Sequence, residues 1–315
     1  MFLFGIAVAL LGAVLPLVSA PLGLGLDAAG NLFVALNGAV LAGSLAFGVV
    51  VDRFGYRGAL TGGPLLIGVA LVLIARAGTP LALAGAVALL GLGGSALNSS
   101  TNALVADLHP EPKAKAAALN HLGVFFGLGA LLLPFLIGTL LDRLGLAPLL
   151  LGAAGLCVLT AAFSAFPTFP EAKQPEGLSL GEARAVLRHP LVALLGALLF
   201  FQAGTEMLLS GYLTTFLTLE TGASVRLASG VLAGFWVALI TARLLLARVL
   251  LRVPALALVP LMAGTAAAAV ALATFAPGLP LAASLLLLAA FALAGVTPTI
   301  LGVAGAALPA RTGTV

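Results

Sequence analysis

The chain has 315 residues, of which 62% are hydrophobic and only 8% are charged. A water-soluble domain of this size needs far more charged surface, so the composition excludes a soluble globular protein. The net charge of +4 does not indicate a nucleic-acid partner, because the basic residues stand singly at the ends of apolar runs. The bilayer is therefore the expected solvent, and long apolar runs without alternation predict membrane-spanning helices.

In chain order, breaks made by glycine, proline and charged residues give about ten spans, each near the roughly 20 residues that cross a bilayer. We expect spans at residues 2–20, 31–51, 60–75, 81–107, 114–141, 147–166, 191–217, 229–251, 255–275 and 281–308. The first twenty residues lack the charged start and the cleavage site of a signal peptide, so we interpret them as a retained span. The predicted fold class is an all-α membrane protein.

The longest polar stretch separates six spans from four. It predicts an N-terminal six-helix bundle at residues 1–166, a cytoplasmic linker at 167–190 and an incomplete four-helix C-terminal bundle at 191–315. Within the linker, Ser179 and Glu182 have the spacing of a capping box, which favours a short surface helix. An unstructured hinge is an equal alternative.

The basic residues favour one side of the predicted membrane. If the N-terminus is cytoplasmic, every basic residue except Arg76, Arg143 and Arg226 lies at a cytoplasmic end or loop. Cationic loops resist translocation, so we expect both termini in the cytoplasm and the protein in the inner (plasma) membrane.

The loop after the second span reads GVVVDRFGYR, from Gly48 to Arg57. We expect Gly48 to let two helices approach closely and Gly55 to support a tight turn. Asp52 with Arg53 or Arg57 offers a charge cluster at helix ends. Such a cluster can hold two rigid bodies together as a conformational latch and release them; the alternative is that the arginines only set topology.

This loop resembles the signature loop of the major facilitator superfamily, Gly-x-x-x-Asp-Arg/Lys-x-Gly-Arg/Lys-Arg/Lys, with Tyr56 as the one departure. The resemblance implies two six-helix halves, and ARLLLARVLLR at 242–252 looks like a degraded second copy of the loop. Looser patterns at 119–134, 200–206 and 294–314 are similar to the fucose permease and related sugar transporters. Such transporters have twelve spans, so we expect the last two helices to be lacking here.

Glu206 is an ionisable residue in the middle of the seventh span, with no basic residue three or four positions away. An ionised carboxylate at the bilayer centre costs about 2.5–3.5 kcal/mol on insertion scales, so such a residue usually has a function. We expect Glu206 to bind substrate hydroxyl groups or to carry a coupling proton. The alternative is a structural carboxyl group that packs against another helix.

Amide side chains add two candidate polar faces. Asn98 and Asn102 are one turn apart on span four, and Gln202 is one turn before Glu206 on span seven. The resemblance implies that helices one, four, seven and ten line the central cavity, which would put both faces on it. Amides suit sugar hydroxyl groups; alternatively, they form interhelical hydrogen bonds.

Four further residues are candidates for substrate binding or proton coupling. Asn120 and His121 open span five, and an imidazole changes charge near neutral pH, although it can also serve only packing. Trp236, the only tryptophan, is a candidate for stacking on a sugar rather than a core residue. Thr297 precedes Pro298 in span ten, where a kink can free backbone carbonyls, unless the hydroxyl only satisfies its own helix.

The sequence contains no HExxH motif, Walker motif or His/Cys cluster, so we expect no enzyme, metal or cofactor. We interpret the chain as a monomeric secondary transporter that moves a small polar solute, a sugar in the first instance, by proton symport and alternating access. One alternative is an exporter of drugs or other amphipathic compounds on the same fold. The other is a non-transporting truncated remnant or sensor.

Overall fold

The computed structural model describes residues 1–109, 112–170, 190–249, 255–294 and 296. Within these residues the chain forms ten α-helices and no strand, which confirms the predicted all-α class. The helices are α1 (Phe2–Ser19), α2 (Leu26–Phe54), α3 (Tyr56–Ala75), α4 (Pro80–Leu108), α5 (Pro112–Leu144), α6 (Leu146–Ser164), α7 (Pro190–Thr221), α8 (Val225–Val249), α9 (Ala255–Ala273) and α10 (Leu279–Leu293).

Several helices are longer than the predicted spans because polar residues at their ends continue the helix past the apolar run. Helix α2 includes Asp27 in its first turn, where a negative charge interacts favourably with the helix dipole. Helix α4 starts with Pro80, and the Oγ1 of Thr79 accepts a hydrogen bond from the backbone N–H of Ala82 at 3.2 Å. The predicted linker helix and the second half of the tenth span lie outside the described residues.

Among the described helices, α1 to α6 and α8 are long and apolar enough to cross a membrane. Helices α9 and α10 contain apolar segments that are shorter. Large apolar side chains such as Val34, Leu45 and Leu159 are exposed on these helices. This exposure is what a lipid solvent favours, since lipid tails are as apolar as leucine. The chain is therefore a multi-pass membrane protein.

The helices belong to two compact units. The first unit comprises the described residues of 1–175 and 224–233, and the second comprises those of 176–223 and 234–315. Helix α8 therefore contributes its beginning to the first unit and the remainder to the second.

In the first unit, α4 packs against α2 and α3, α1 packs along α5, and α3 packs against α6. Three glycines allow α4 to approach three neighbours. A Cβ added at Gly91 would lie 2.5 Å from the carbonyl oxygen of Leu36 in α2, and one at Gly93 would lie 2.8 Å from the backbone N of Ile67 in α3. Gly94 lies against the Phe4 ring of α1. Small residues that bring helix backbones together are the main packing device in a lipid solvent.

Helices α1 and α5 meet at two further glycines. A Cβ at Gly5 would overlap the carbonyl oxygen of Phe126, and one at Gly129 would overlap that of Phe2. Because both obstacles are backbone atoms, neither can rotate away. The most buried helix of the unit, α1, is thus held against α5 through backbone contact at both positions.

The sequence DRFG at 52–55 ends α2, and the similar sequence DRLG at 142–145 ends α5. Gly55 has a φ of 77° and Gly145 a φ of 75°, a conformation that residues with a Cβ rarely adopt. Each glycine N–H donates to the carbonyl four residues earlier, at 2.9 and 2.8 Å. The next helix starts directly afterwards in both cases, as a tight turn at Gly55 predicts.

The start of α8 is tied to α5 within the first unit. Arg226 donates from Nη1 to Asp142 Oδ2 at 2.8 Å and from Nε to the carbonyl oxygen of Gly138 at 3.0 Å. Both charged side chains are exposed, so this ion pair positions the helices more than it stabilises them.

In the second unit, α9 packs against α10, and α10 also contacts α7. Helix α8 meets α10 where Gly234 lies against Leu287. Phe235 and Trp236 are fully buried on α8, with their rings edge-on and 5.7 Å between centroids. This aromatic pair therefore belongs to the buried core.

Candidate functional site

Glu206 lies near the middle of α7 and is only 5% exposed. Its Oε2 accepts a hydrogen bond from Nε2 of Gln202 at 3.0 Å. Its Oε1 accepts one from Nη2 of Arg243, on α8, at 3.4 Å. The carboxyl group expected to be isolated in an apolar span therefore has a cationic partner from another helix.

Arg243 is incompletely satisfied by this contact. Charge-assisted N–H···O bonds usually span about 2.7–2.9 Å, so the 3.4 Å contact is a loose one. The Nε of Arg243 is buried and has no acceptor among the described residues. A buried donor without an acceptor costs about 1–3 kcal/mol. The guanidinium thus keeps unused hydrogen-bonding capacity beside the carboxylate.

Four polar side chains follow one another at four-residue intervals along α7: Gln202, Glu206, Ser210 and Thr214. All four are buried, and the interval places them along one face of the helix. We call this face the polar stripe. The burial of these four side chains shows that this face of α7 is turned toward protein, as expected because a polar group facing hydrocarbon is costly.

Asn98 and Asn102 share a face of α4 in the first unit, as their spacing predicts. Nδ2 of Asn102 donates to both the carbonyl oxygen and Oδ1 of Asn98, each at 2.9 Å. The hydroxyl groups of Ser100 and Thr101 between them donate to carbonyl oxygens one turn earlier in the same helix. The two amides are partly exposed and form the polar feature of α4.

The structure gives less information about the remaining predicted binding residues. Trp236 is fully buried, and a buried indole offers no face to a solute in this structure. His121 is exposed on α5. The side chain of Asn120 and all of Thr297 lie outside the described residues. The roles predicted for these four residues stay predictions.

The predicted latch is described in part. Arg53 and Arg57 are exposed, and Nη2 of Arg57 donates to the carbonyl oxygen of Pro167 at 3.1 Å. The side chain of Asp52 lies outside the described residues. The expectation that Gly48 brings helices together is wrong for the part of the chain that is described, because a Cβ there would meet nothing within 4 Å. Glycines on α1, α4 and α5 have that role instead.

Tyr56, the one departure from the signature loop, has a structural explanation. It is buried at the start of α3, and its hydroxyl donates to Oδ2 of Asp107 at 2.5 Å, near the end of α4. A tyrosine therefore binds α4 at a position where the signature loop has a basic residue.

Sequence reasoning missed three members of the site. Arg243 was counted as a charge that sets topology, although an ionisable residue within a span is itself an indication of function. Ser210 and Thr214 were overlooked, although they continue the four-residue interval of Gln202 and Glu206. The contact between α7 and α8 could not have been found from spacing along either helix.

The arrangement offers a carboxyl group for proton binding, a guanidinium for an anion, and amides and hydroxyl groups for polar solutes. Among the described residues, no three His, Cys, Asp or Glu side chains lie close enough together to hold a metal ion.

Comparisons with known proteins address the fold. The family model "Major Facilitator Superfamily" matches residues 1–315. A crystal structure of a bacterial homolog to the human lysosomal transporter Spinster, in an inward-facing and occupied conformation, is similar with a TM-score of 0.73 and 16% identity, covering 99% of this chain and 74% of that one. A mutant of the nucleoside transporter NupG is similar with a TM-score of 0.74 and 16% identity, covering 99% and 84%. No curated protein sequence matches significantly. At 16% identity the structural likenesses show the fold alone.

Proposed function

The chain belongs to the major facilitator superfamily, and from that premise we propose that it is a secondary transporter that moves a small polar solute across the membrane by alternating access. The observation that carries this proposal is the buried polar stripe of α7, with Glu206 bonded to Gln202 and paired with Arg243. Ionisable groups inside membrane helices are expensive, and they mark substrate and proton pathways.

A sugar is the first solute to test. Amide and hydroxyl groups match the donors and acceptors of sugar hydroxyl groups, and each unit by itself supplies such groups, the first through the Asn98–Asn102 pair and the second through the polar stripe. The loose resemblance to the fucose permease supports the same choice. An exporter of amphipathic compounds would be favoured by a site of phenylalanine and leucine, whereas a buried ion pair suits a polar solute.

Proton symport is proposed because Glu206 is a buried carboxyl group on a helix of a membrane protein, and such groups mark proton pathways. Moving one positive charge inward gains about 2.3 kcal/mol per 100 mV of membrane potential, which is enough to concentrate a solute. We propose further that the protein acts as a monomer in the plasma membrane with both termini in the cytoplasm, as the distribution of its basic residues predicts.

The test is uptake by proteoliposomes that contain the purified chain. Neutral sugars and nucleosides are supplied with and without an inward proton gradient. We expect accumulation of a polar solute that depends on the gradient. In the Glu206→Gln variant we expect normal expression but no concentrative uptake, because Gln keeps the hydrogen bond to Gln202 and cannot carry the proton.

The matched control is Glu220→Gln, because Glu220 is an exposed carboxylate at the end of the same helix. This variant should accumulate solute as the wild type does. Gradient-driven accumulation by Glu206→Gln at the wild-type rate would remove Glu206 from the mechanism. Failure of the wild type to move any polar solute would remove the proposed function.

A further inference from the structure

We infer that Arg243 is the binding site for a carboxylate group on the solute, which makes the solute a hydroxylated organic anion that enters together with one proton. The inference rests on the proposed function and specifies its substrate class. It follows from the bonding of Arg243, from the charge of the site and from the polar stripe beside it.

Arg243 has hydrogen-bonding capacity left for a second acceptor. A guanidinium has five N–H donors in a planar fork and stays charged at all physiological pH values. Glu206 occupies Nη2 at a loose 3.4 Å, while the buried Nε has no acceptor among the described residues. A carboxylate is an acceptor of the right shape, since it can take two parallel N–H bonds from one edge of the fork.

Glu206 contacts Arg243 through one oxygen in this arrangement. Its Oε1 accepts from Nη2 at 3.4 Å, while its Oε2 accepts from Gln202 at 3.0 Å. The ion pair is therefore a single loose contact rather than a two-bond pair. The buried Nε of Arg243 has no acceptor among the described residues, and the carboxylate of a solute would supply one.

Charge balance then couples the anion to a proton. With Glu206 ionised, the pair carries no net charge. A carboxylate that binds Arg243 would add one negative charge to a buried site, where an uncompensated charge is costly. Transfer of one proton from water to Glu206 restores neutrality, so one anion and one proton enter together.

No other described side chain is placed to supply that compensation. Gln202, which faces Glu206 on its own helix, is neutral. Helices α9 and α10, which complete the described part of the unit, contain no ionisable residue. Glu220 lies at the end of α7, roughly 20 Å along the helix from Glu206. Among the described side chains, the proton on Glu206 is therefore the available counter-charge for a bound anion; the side chain of Arg248, the next arginine of α8, lies outside them.

The charge also selects the class of anion. One positive charge remains when Glu206 is protonated, so a single negative charge completes the site. A phosphate monoester carries about 1.5–2 negative charges at neutral pH, so it would leave the site with excess negative charge. The polar stripe also contributes hydroxyl groups: Ser210 donates to the carbonyl oxygen of Met207 at 3.3 Å, and its oxygen can still accept a hydrogen bond from a hydroxyl group of the solute. A sugar acid meets both requirements.

The experiment measures equilibrium binding of radiolabelled D-gluconate, D-glucose and D-glucose 6-phosphate to the purified full chain in detergent, at pH 6 and pH 8 and constant ionic strength. We expect the wild type to prefer gluconate over both other probes by at least tenfold and to bind it more tightly at pH 6. Arg243→Gln should weaken gluconate binding at least tenfold, and Arg243→Lys, which keeps the charge without the fork, should weaken it less.

Two further variants make the result specific. Glu206→Gln imitates the protonated carboxyl group, so it should bind gluconate more tightly than the wild type does at pH 8, with no dependence on pH. Arg76→Gln removes an exposed arginine at the end of α3 and should change nothing. Thermal unfolding of every variant verifies that it is folded.

The inference is overturned if Arg243→Gln binds gluconate as tightly as the wild type, or if the wild type binds glucose or the sugar phosphate at least as well. The experiments distinguish failure of the anion site from failure of the proposed transport function. Proteoliposomes that accumulate glucose while the purified chain ignores gluconate would retain the transporter and remove the anion site. Arg243-dependent gluconate binding without any uptake would retain the site and remove the transporter.

Discussion

Glu206 and Arg243 form an ion pair whose two partners differ in burial: the side chain of Glu206 is 7% exposed and that of Arg243 is 31% exposed. Removing one partner from a fully buried pair costs about 3–5 kcal/mol, because the other charge is left uncompensated. Partial exposure of the arginine allows solvent to screen the pair, which reduces that cost. The informative quantity for this pair is therefore the coupling energy between Glu206 and Arg243.

We predict that Arg243→Gln destabilises the protein more than the double variant Glu206→Gln with Arg243→Gln. The single variant leaves a buried carboxylate without its cation, whereas the double variant leaves two neutral amides. Coupling energies between contacting residues are about 0.5–3 kcal/mol. The measurement is thermal unfolding followed with a thiol-reactive dye, because Cys157 is the chain's only cysteine and is buried.

The control for this cycle is the pair Arg76→Gln and Glu220→Gln, singly and together. Both residues are exposed and belong to different units, so their effects should add. If the effects of the Glu206 and Arg243 substitutions also add, the two groups do not interact energetically, and their contact has no thermodynamic consequence.

Tyr56 supplies a second prediction for a single residue. Hydrogen bonds to charged groups contribute about 1.5–3 kcal/mol, and Tyr56 is bonded to Asp107 across the ends of α3 and α4. Tyr56→Phe keeps the ring and removes the donor, so we expect a lower unfolding temperature. Asp107→Asn keeps an acceptor and loses the charge, so it should be affected less. An unchanged unfolding temperature in Tyr56→Phe would mean that the ring alone anchors the loop.

At the level of the helices, backbone contact through glycine decides which faces meet. Helix α5 offers a matched comparison, because a Cβ at Gly129 would overlap the backbone of Phe2 whereas one at Gly123 would meet nothing within 4 Å. We predict that Gly129→Ala forces α1 from α5 and strongly lowers the unfolding temperature. Gly123→Ala should be neutral or slightly stabilising, because alanine favours a helix by up to about 1 kcal/mol over glycine.

The same unfolding assay checks both variants. Should Gly129→Ala unfold at the wild-type temperature, α1 and α5 would not be in backbone contact at that position. The comparison separates packing from helix propensity, since both substitutions remove a glycine from the same helix.

The helices were predictable from sequence because each long apolar run indicates a segment that lies in lipid. Their ends were less predictable: Asp27 and Arg53 look like loop residues to a hydropathy pattern, yet they continue α2 beyond its apolar run. The role of Gly48 was predicted wrongly for the described part of the chain, and for a different reason. Whether a glycine faces a neighbouring helix depends on rotation about the helix axis, which local composition does not set.

The candidate site was predictable only along single helices. A spacing of one helical turn predicts that Gln202 lies beside Glu206 and that Asn98 lies beside Asn102. The partnership of Glu206 with Arg243 depends on how α7 and α8 are placed, and 36 intervening residues carry no information about that. Tyr56 likewise departs from the signature motif, and the sequence does not indicate its hydrogen bond to Asp107.

For the molecule as a whole, orientation in the membrane is the property that the basic residues predict. The loop between α3 and α4 includes the exposed Gly78, and the segment after α6 includes the exposed Thr168. If both termini are cytoplasmic, the first position faces outward and the second inward, because three spans precede one and six precede the other.

Orientation can be measured with single cysteines in a Cys157→Ala background, which should itself be unlabelled. In sealed right-side-out vesicles, a membrane-impermeant maleimide should label Gly78→Cys at once and Thr168→Cys only after permeabilisation. The reversed pattern would place the termini outside, and labelling of both positions in sealed vesicles would contradict the count of spans between them.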